Sequence, residues 1–222
     1  MDTVFHEPPQ FPAGPSVKED ANDDRRREIR IAEIEGVPVR LRAGVSGLSA
    51  EQLDTKYRNW TIRQIVHHVA DSHLNSYVRF KLALTEDRPT IKPYDESRWS
   101  VLVDARAMDV ERSLQLLEGL HARWAYLLRS LVAGAFDRSY YHPGTQETMP
   151  LWQAVNYYAW HARHHTAQIE WVKAAQVSPR RPGRPVTNLD NATEDSSSAW
   201  AHAWKASRIR PGRVQGGEDI EN

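Results

Sequence analysis

Residues 151-LWQAVNYYAWHARHHTAQIEWV-172 decide the fold of this chain, because apolar side chains recur along them at alternating spacings of four and three. This period places the side chains on one face of a helix, as in helices that pack together in a bundle. The residues on that face are Leu151, Val155, Tyr158, Ala162, His165, Ile169 and Val172. His165 is therefore predicted to point toward a core, and His161 lies one turn before it.

Three further segments show the helical period. No segment alternates between apolar and polar residues over a length that would predict a strand. In the first of them, Gly36 and Pro38 should kink or split the helix. Capping boxes predict a short helix or turn after Ser49 and a long helix from Thr61. The four predicted helices span residues about 21–46, about 61–86, Asp104 or Asp109 to Val132, and 150–176. The sequence thus predicts an all-α fold, a four-helix bundle around one core.

Two connections between these helices stand out. Residues 87–103 contain prolines and aromatic side chains, and we interpret them as a long crossover loop, which in compact domains is often functional. Residues 136–149 are predicted to form a loop or a hairpin.

The predicted bundle covers residues 21–177 and is flanked on both sides. Residues 1–20 are rich in proline and are interpreted as an extended lead-in. Residues 178–222 change composition to arginine, proline, glycine and serine, which predicts a disordered tail. Within it, Trp200 and Trp204 either share a short helix that docks on a surface or belong to an unstructured extension.

Composition narrows the classes of function. Lys+Arg and Asp+Glu both number 29, so no bulk charge directs the chain to nucleic acid or an anionic membrane, and a small-molecule substrate is expected. The absence of cysteine excludes disulfides, thiolate metal sites and a cysteine nucleophile. Residues 1–15 lack the pattern of a signal peptide, and no apolar run is long enough for a membrane span, so we expect a cytoplasmic protein.

The histidine pair on the last helix indicates a metal site. His161 and His165 share one helix face, so both imidazoles can reach a single ion. Two buried imidazoles one turn apart each need a polar partner, and a shared cation satisfies both. The stretch 67-HHVAD-71 on another helix can supply a third nitrogen. Three histidines with an open fourth position are typical of catalytic zinc.

Spacing alone does not choose the third ligand. The apolar face of the second long helix centres nearer His73 than His68, which falls at its edge. A single histidine on an apolar face, such as His73 or His121, is more often a core residue that is hydrogen-bonded to a neighbour.

Several motifs in this chain closely resemble the YfiT group of the DinB-like metalloprotein superfamily. They are 60-WTIRQIVHHVADSH-73, 75-NSYVRFKL-82, 93-PYDE-96, 120-LHARW-124, 141-YHP-143 and 160-WHARHH-165, and with their surroundings they cover about residues 10–176 in order. The resemblance implies a four-helix bundle of DinB/YfiT type in which three histidines hold a divalent metal. It implies that the ligands are His68, His161 and His165, and that the neighbouring His67 and His164 are not ligands.

The chain departs from the family pattern in three places. Only Arg58 and Asn59 separate Tyr57 from Trp60, where relatives usually have a longer turn. Arg163 and Gln168 stand where further histidines are often seen, but neither position is an expected ligand. The three-histidine site is therefore retained.

Three neutral imidazoles leave a bound ion its full charge and an open position, which predicts nucleophile generation, with zinc as the expected ion and nickel as an alternative. Our first hypothesis is that the metal activates a low-molecular-weight thiol cosubstrate, such as bacillithiol or mycothiol, for S-transfer to an electrophile. The second is a metal-dependent hydrolase that uses metal-bound hydroxide. A non-catalytic, stress-associated metal-binding bundle is the third. Related bundles are commonly homodimers, and we expect the same here.

Polar residues near the predicted site are candidates for further roles. A general acid or base could come from four side chains, which are Asp71, Asp95, Glu96 and His121. Candidates for substrate binding are Asn75, Arg79, Tyr94 and Asp95.

Overall fold

The computed structural model describes residues 7–177, and its long elements are helices. The helices are α1 (Asp24–Glu35), α2 (Val37–Val45), α3 (Ala50–Leu53), α4 (Ile62–Thr85), α5 (Glu96–Ser100), α6 (Val103–Ala107), α7 (Val110–Arg129) and α8 (Leu151–Val177). The strands are β1 (Lys56–Tyr57), β2 (Trp60–Thr61), β3 (Ser139–His142) and β4 (Glu147–Pro150). The predicted all-α bundle is confirmed. The tail predicted at 178–222, with Trp200 and Trp204, lies outside the described residues.

The first predicted helix is split at the expected place. Helix α1 ends at Glu35 with Gly36 as its C-cap, and α2 begins with Val37 and carries Pro38 in its first turn. Proline is tolerated there because the first helical N–H groups have no intrahelical acceptor. Helix α1 also begins later than predicted, because the Asp23 side chain caps it by accepting the Arg26 N–H at 2.7 Å.

Capping residues set the other helix starts. Both predicted capping boxes are confirmed, at Ser49 before α3 and at Thr61 before α4. Helix α7 uses the second of its two predicted starts, because the Asp109 side chain accepts the Glu111 N–H at 3.0 Å. The other candidate, Asp104, lies in the separate short helix α6.

Two short strand pairs accompany the helices, and only one of them was among the options that the sequence offered. Strands β1 and β2 form a tight antiparallel pair, and β3 and β4 form the hairpin that was one option for residues 136–149. Runs of two to four residues are too short to reveal a period of two in the sequence. The crossover is anchored on β3, since the Tyr141 N–H donates to the Pro89 carbonyl at 2.9 Å. The same crossover also contains α5, so it is not entirely loop.

The bundle brings α4 and α8 side by side. Helix α4 packs against α7 and α8, and α1 and α2 pack against the same two helices, so α4 lies diagonally across from α1 and α2. Residues 7–20 run along α8, where the Trp160 indole donates to the Gly14 carbonyl at 2.9 Å. Among the described residues, no helix is both long and apolar enough to cross a membrane.

The core accounts for much of the stability, and two adjacent leucines on α7 test this. Leu117 is fully buried, whereas Leu116 is 45% exposed. We expect Leu117→Ala to lower the free energy of unfolding by about 2–5 kcal/mol, because it leaves a cavity in the core. Leu116→Ala should cost less than about 1 kcal/mol in the same urea denaturation experiment. Equal losses would contradict the predicted orientation of α7.

Candidate metal centre

Three imidazoles meet between α4 and α8. The Nε2 atom of His161 lies 3.3 Å from Nε2 of His68 and 3.2 Å from Nε2 of His165. One ligand nitrogen from each ring lies within 4.8 Å of the other two, and all three side chains are buried. The pair on α8 is one turn apart on the inward face, and α4 supplies the third ring.

The geometry of this cluster fits a divalent cation. Zinc–nitrogen bonds of about 2.0–2.1 Å in a tetrahedron give nitrogen–nitrogen edges of about 3.3–3.4 Å, close to the two observed distances. Burial lowers the pKa of His68 and His161 well below the usual value and that of His165 to about 4. The rings are therefore neutral at neutral pH, as metal ligands must be. In a four-coordinate site, three such ligands leave one position for another molecule.

Gln168 orients His165. Nδ1 of His165 lies 2.7 Å from the Gln168 side-chain oxygen, which can only accept, so this nitrogen carries the proton. The Gln168 amide nitrogen in turn donates to Nε2 of His164 at 2.9 Å. Nε2 of His165 is then left with its lone pair toward the cluster. The residue that departs from the family pattern thus has a clear structural role.

The neighbouring histidines have partners outside the cluster. His67 donates from Nε2 to the Met108 carbonyl at 3.1 Å, and its Nδ1 is 2.7 Å from the Ser113 hydroxyl. The His164 ring stacks on Trp160 with a centroid distance of 5.0 Å. These contacts turn both rings away from the cluster.

His73 and His121 lie directly behind the cluster. Nε2 of His73 is 3.2 Å from Nδ1 of His161, and Nδ1 of His73 is 3.0 Å from Nε2 of His121. Sequence reasoning left His73 as an alternative ligand and named His121 as a possible acid or base. In the sequence, His73 and His121 fall on the apolar faces of α4 and α7, and this pattern indicated that both side chains point into the core.

A polar region borders the centre on the side of the crossover. The guanidinium of Arg79 is buried and donates to the Tyr158 hydroxyl at 3.1 Å, and the Tyr158 ring centroid is 6.1 Å from that of His161. Burial raises the pKa of the Glu96 carboxyl to about 7, although Arg79 opposes this shift. The Tyr94 hydroxyl is also buried, and burial followed by the charge of Glu96 raises its pKa.

Of the remaining predicted polar residues, Asn75 and Asp95 serve local structure. Asn75 donates its side-chain amide to the Asp71 carbonyl on the same helix at 2.8 Å. The Asp71 carboxyl has a pKa raised to about 6 by burial and by Asp104. Asp95 caps α5 by accepting the Arg98 N–H at 2.9 Å. Of the four residues proposed for substrate binding, Arg79 and Tyr94 therefore have the buried polar groups.

Comparison with known proteins agrees with this architecture. The family model of the DinB superfamily matches residues 33–169. A Bacillus licheniformis protein named "Putative metal-dependent hydrolase" is 47% identical over 163 residues, which are 72% of this chain and 93% of that protein. YfiT of Bacillus subtilis, with the same description, is 46% identical over 161 residues, which are 72% of this chain and 90% of that protein.

A solved structure shows the same fold. Bacillus subtilis YfiT, described as "a probable metal-dependent hydrolase with an unusual four-helix bundle topology", aligns with a TM-score of 0.73 and 44% identity. The alignment covers 75% of this chain and 97% of that chain. The length and identity of these matches confirm the resemblance seen in the sequence: the chain belongs to the YfiT-like group of the DinB superfamily.

Proposed function

We propose that this chain is a metal-dependent hydrolase acting on a small-molecule substrate, with the three-histidine cluster as its metal centre. The observation that carries the proposal is the convergence of three buried, neutral Nε2 atoms at the spacing of metal ligands. A divalent ion held there, which we propose to be zinc with nickel as the alternative, would lower the pKa of a water or thiol bound to it. The names of the relatives favour hydrolysis.

The chain's own residues supply binding and proton transfer. His68, His161 and His165 would hold the ion, and Gln168 keeps the proton on Nδ1 of His165. We propose Glu96 as the general base, because its buried carboxyl interacts with the charge of Arg79, whose partner Tyr158 lies beside His161. With a pKa of about 7, this carboxyl is also partly ionised at neutral pH and can accept a proton. His121 is unsuited to this role, because burial lowers its pKa to about 4.

Arg79 and Tyr94 are proposed to bind the substrate. A buried guanidinium has five donors, and Tyr158 accepts from it at 3.1 Å, so Arg79 suits an anionic group on the substrate. This observation also favours a second candidate function, S-transfer from a low-molecular-weight thiol, since several such thiols carry carboxylates. In that reaction the thiol gives up its proton to a base and the sulfur forms a bond to an electrophilic carbon. The bond from this carbon to the leaving group breaks, and the leaving group departs with the electron pair of that bond.

One set of assays separates these functions. The full chain is treated with a chelator and then reloaded with zinc. Hydrolysis is measured with p-nitrophenyl esters and simple amides. Conjugation is measured separately, with bacillithiol, mycothiol, coenzyme A or glutathione and a chlorobimane electrophile. We expect zinc-dependent hydrolysis that chelation removes. Conjugation without hydrolysis, accompanied by sulfur–cobalt charge transfer in the cobalt-substituted protein, would show that the chain is a thiol S-transferase and not a hydrolase. No turnover in either assay would support the third hypothesis, a non-catalytic metal-binding bundle.

A further inference from the structure

Behind His161, two more buried histidines and a backbone carbonyl form a continuous line of hydrogen bonds. His161 Nδ1 lies 3.2 Å from His73 Nε2, His73 Nδ1 lies 3.0 Å from His121 Nε2, and His121 Nδ1 lies 2.6 Å from the Ile34 carbonyl oxygen. The side chains of His73 and His121 are fully buried. The line therefore joins the metal centre, through helices α8, α4 and α7, to the end of α1.

The carbonyl at the far end fixes the position of every proton in this line. A carbonyl only accepts, so His121 donates from Nδ1, and its neutral ring presents Nε2 as an acceptor. His73 must then donate from Nδ1 to His121 and accept at Nε2. His161 must donate from Nδ1 to His73. The proton of the neutral His161 ring is thus on Nδ1, and its Nε2 faces His68 and His165 with a free lone pair.

The break in the first helix explains why Ile34 can anchor the line. In a continuous helix, the N–H of the residue four positions later would bond to the Ile34 carbonyl. That residue is Pro38, which has no N–H. Although the Gly36 N–H at the end of α1 also donates to this carbonyl, the missing bond from Pro38 leaves room for His121 on the facing helix, at a distance of 2.6 Å.

We propose that His73 and His121 are positioning residues of the metal centre, which hold His161 in the tautomer that directs its Nε2 lone pair at the ion. The inference rests on the proposed metal-dependent function and extends it to two residues that touch neither the ion nor the substrate. Gln168 has the corresponding role for His165. Histidine ligands are commonly oriented by hydrogen bonds to the second ring nitrogen, and loss of such a partner typically weakens metal binding by about 10–100-fold.

Zinc affinity, measured by competition with a chromophoric chelator, tests the proposal in the full chain. His73→Phe keeps a buried ring but cannot accept from His161, and we expect zinc to bind about 10–100-fold more weakly. His73→Gln can accept through its amide oxygen and donate through its amide nitrogen, so it should recover most of the affinity. His67→Phe is the matched control, since His67 is a buried histidine on the same helix with partners outside the cluster.

Nitrogen-15 NMR of the histidine rings locates the protons directly. In chelator-treated wild-type protein, we expect Nδ1 of His161, His73 and His121 to carry them. The proposal would be overturned by a proton on Nε2 of His73, or by the same zinc affinity for His73→Phe and His67→Phe. If His73→Phe does not fold, the NMR result alone decides. Wild-type protein that does not bind zinc would instead contradict the proposed function.

Discussion

His161→Ala is expected to remove zinc from the protein, whereas His164→Ala should leave about one zinc ion per chain, as three-histidine sites hold a single ion. His161 is central to the cluster, with its Nε2 within 3.3 Å of the corresponding atom of both His68 and His165. We expect the two histidines that remain in this variant, His68 and His165, to be too few to retain the ion. Metal content after dialysis, measured by inductively coupled plasma mass spectrometry, gives the answer.

The two substitutions are well matched. Each removes a buried imidazole from α8, and the rings are only three residues apart in sequence. Thermal unfolding of the chelated variants shows whether either has lost its fold. Equal zinc content in two folded variants would contradict the assignment of His161 as a ligand.

Glu96→Gln is expected to lower metal-dependent turnover by about 10²–10⁴-fold, the usual contribution of a general base. The ionised carboxyl is the active form, and burial raises its pKa to about 7. Wild-type activity should therefore rise as the pH increases through about 7, and the variant should lose this rise. Profiles of kcat/KM against pH for both proteins make the comparison. If Asp71→Asn loses the rise instead, Asp71 is the base, since its pKa is about 6.

Stability provides an independent check on Glu96. Its pKa in the folded protein lies above the usual 4.5, so the folded state binds the proton more tightly than the unfolded state does. The ionised side chain therefore destabilises the protein progressively as the pH rises from about 4.5 to about 7. Above that range, Glu96→Gln should be more stable than wild type by up to about 3 kcal/mol, and the difference should shrink at pH 5. Urea denaturation at the two pH values shows whether low activity reflects chemistry rather than unfolding.

Much of the fold could be predicted from the sequence because long helices repeat their pattern many times. The face of α8 through Leu151, Tyr158 and His165 is buried in the structure, and the break at Gly36 was expected from local chemistry. The two strand pairs were not predictable, since they contain only two or four residues per strand. The start of α7 remained open because Asp104 and Asp109 are both good capping residues.

The site was predictable only where its residues share one helix. His161 and His165 follow from their spacing, but the choice of His68 came from the family resemblance. Periodicity favoured His73 because it does point into the core, one hydrogen bond behind His161. Contacts between helices depend on how their faces meet, which spacing within one helix cannot show. The homodimer and the cytoplasmic location stay predictions.

X-ray absorption spectroscopy of the zinc-loaded wild-type protein tests the central claim most directly. We predict three imidazole nitrogens at about 2.0–2.1 Å from the metal and one further light atom that completes a four-coordinate shell. A shell of oxygen atoms without imidazole, or protein that retains no zinc, would contradict the three-histidine metal centre.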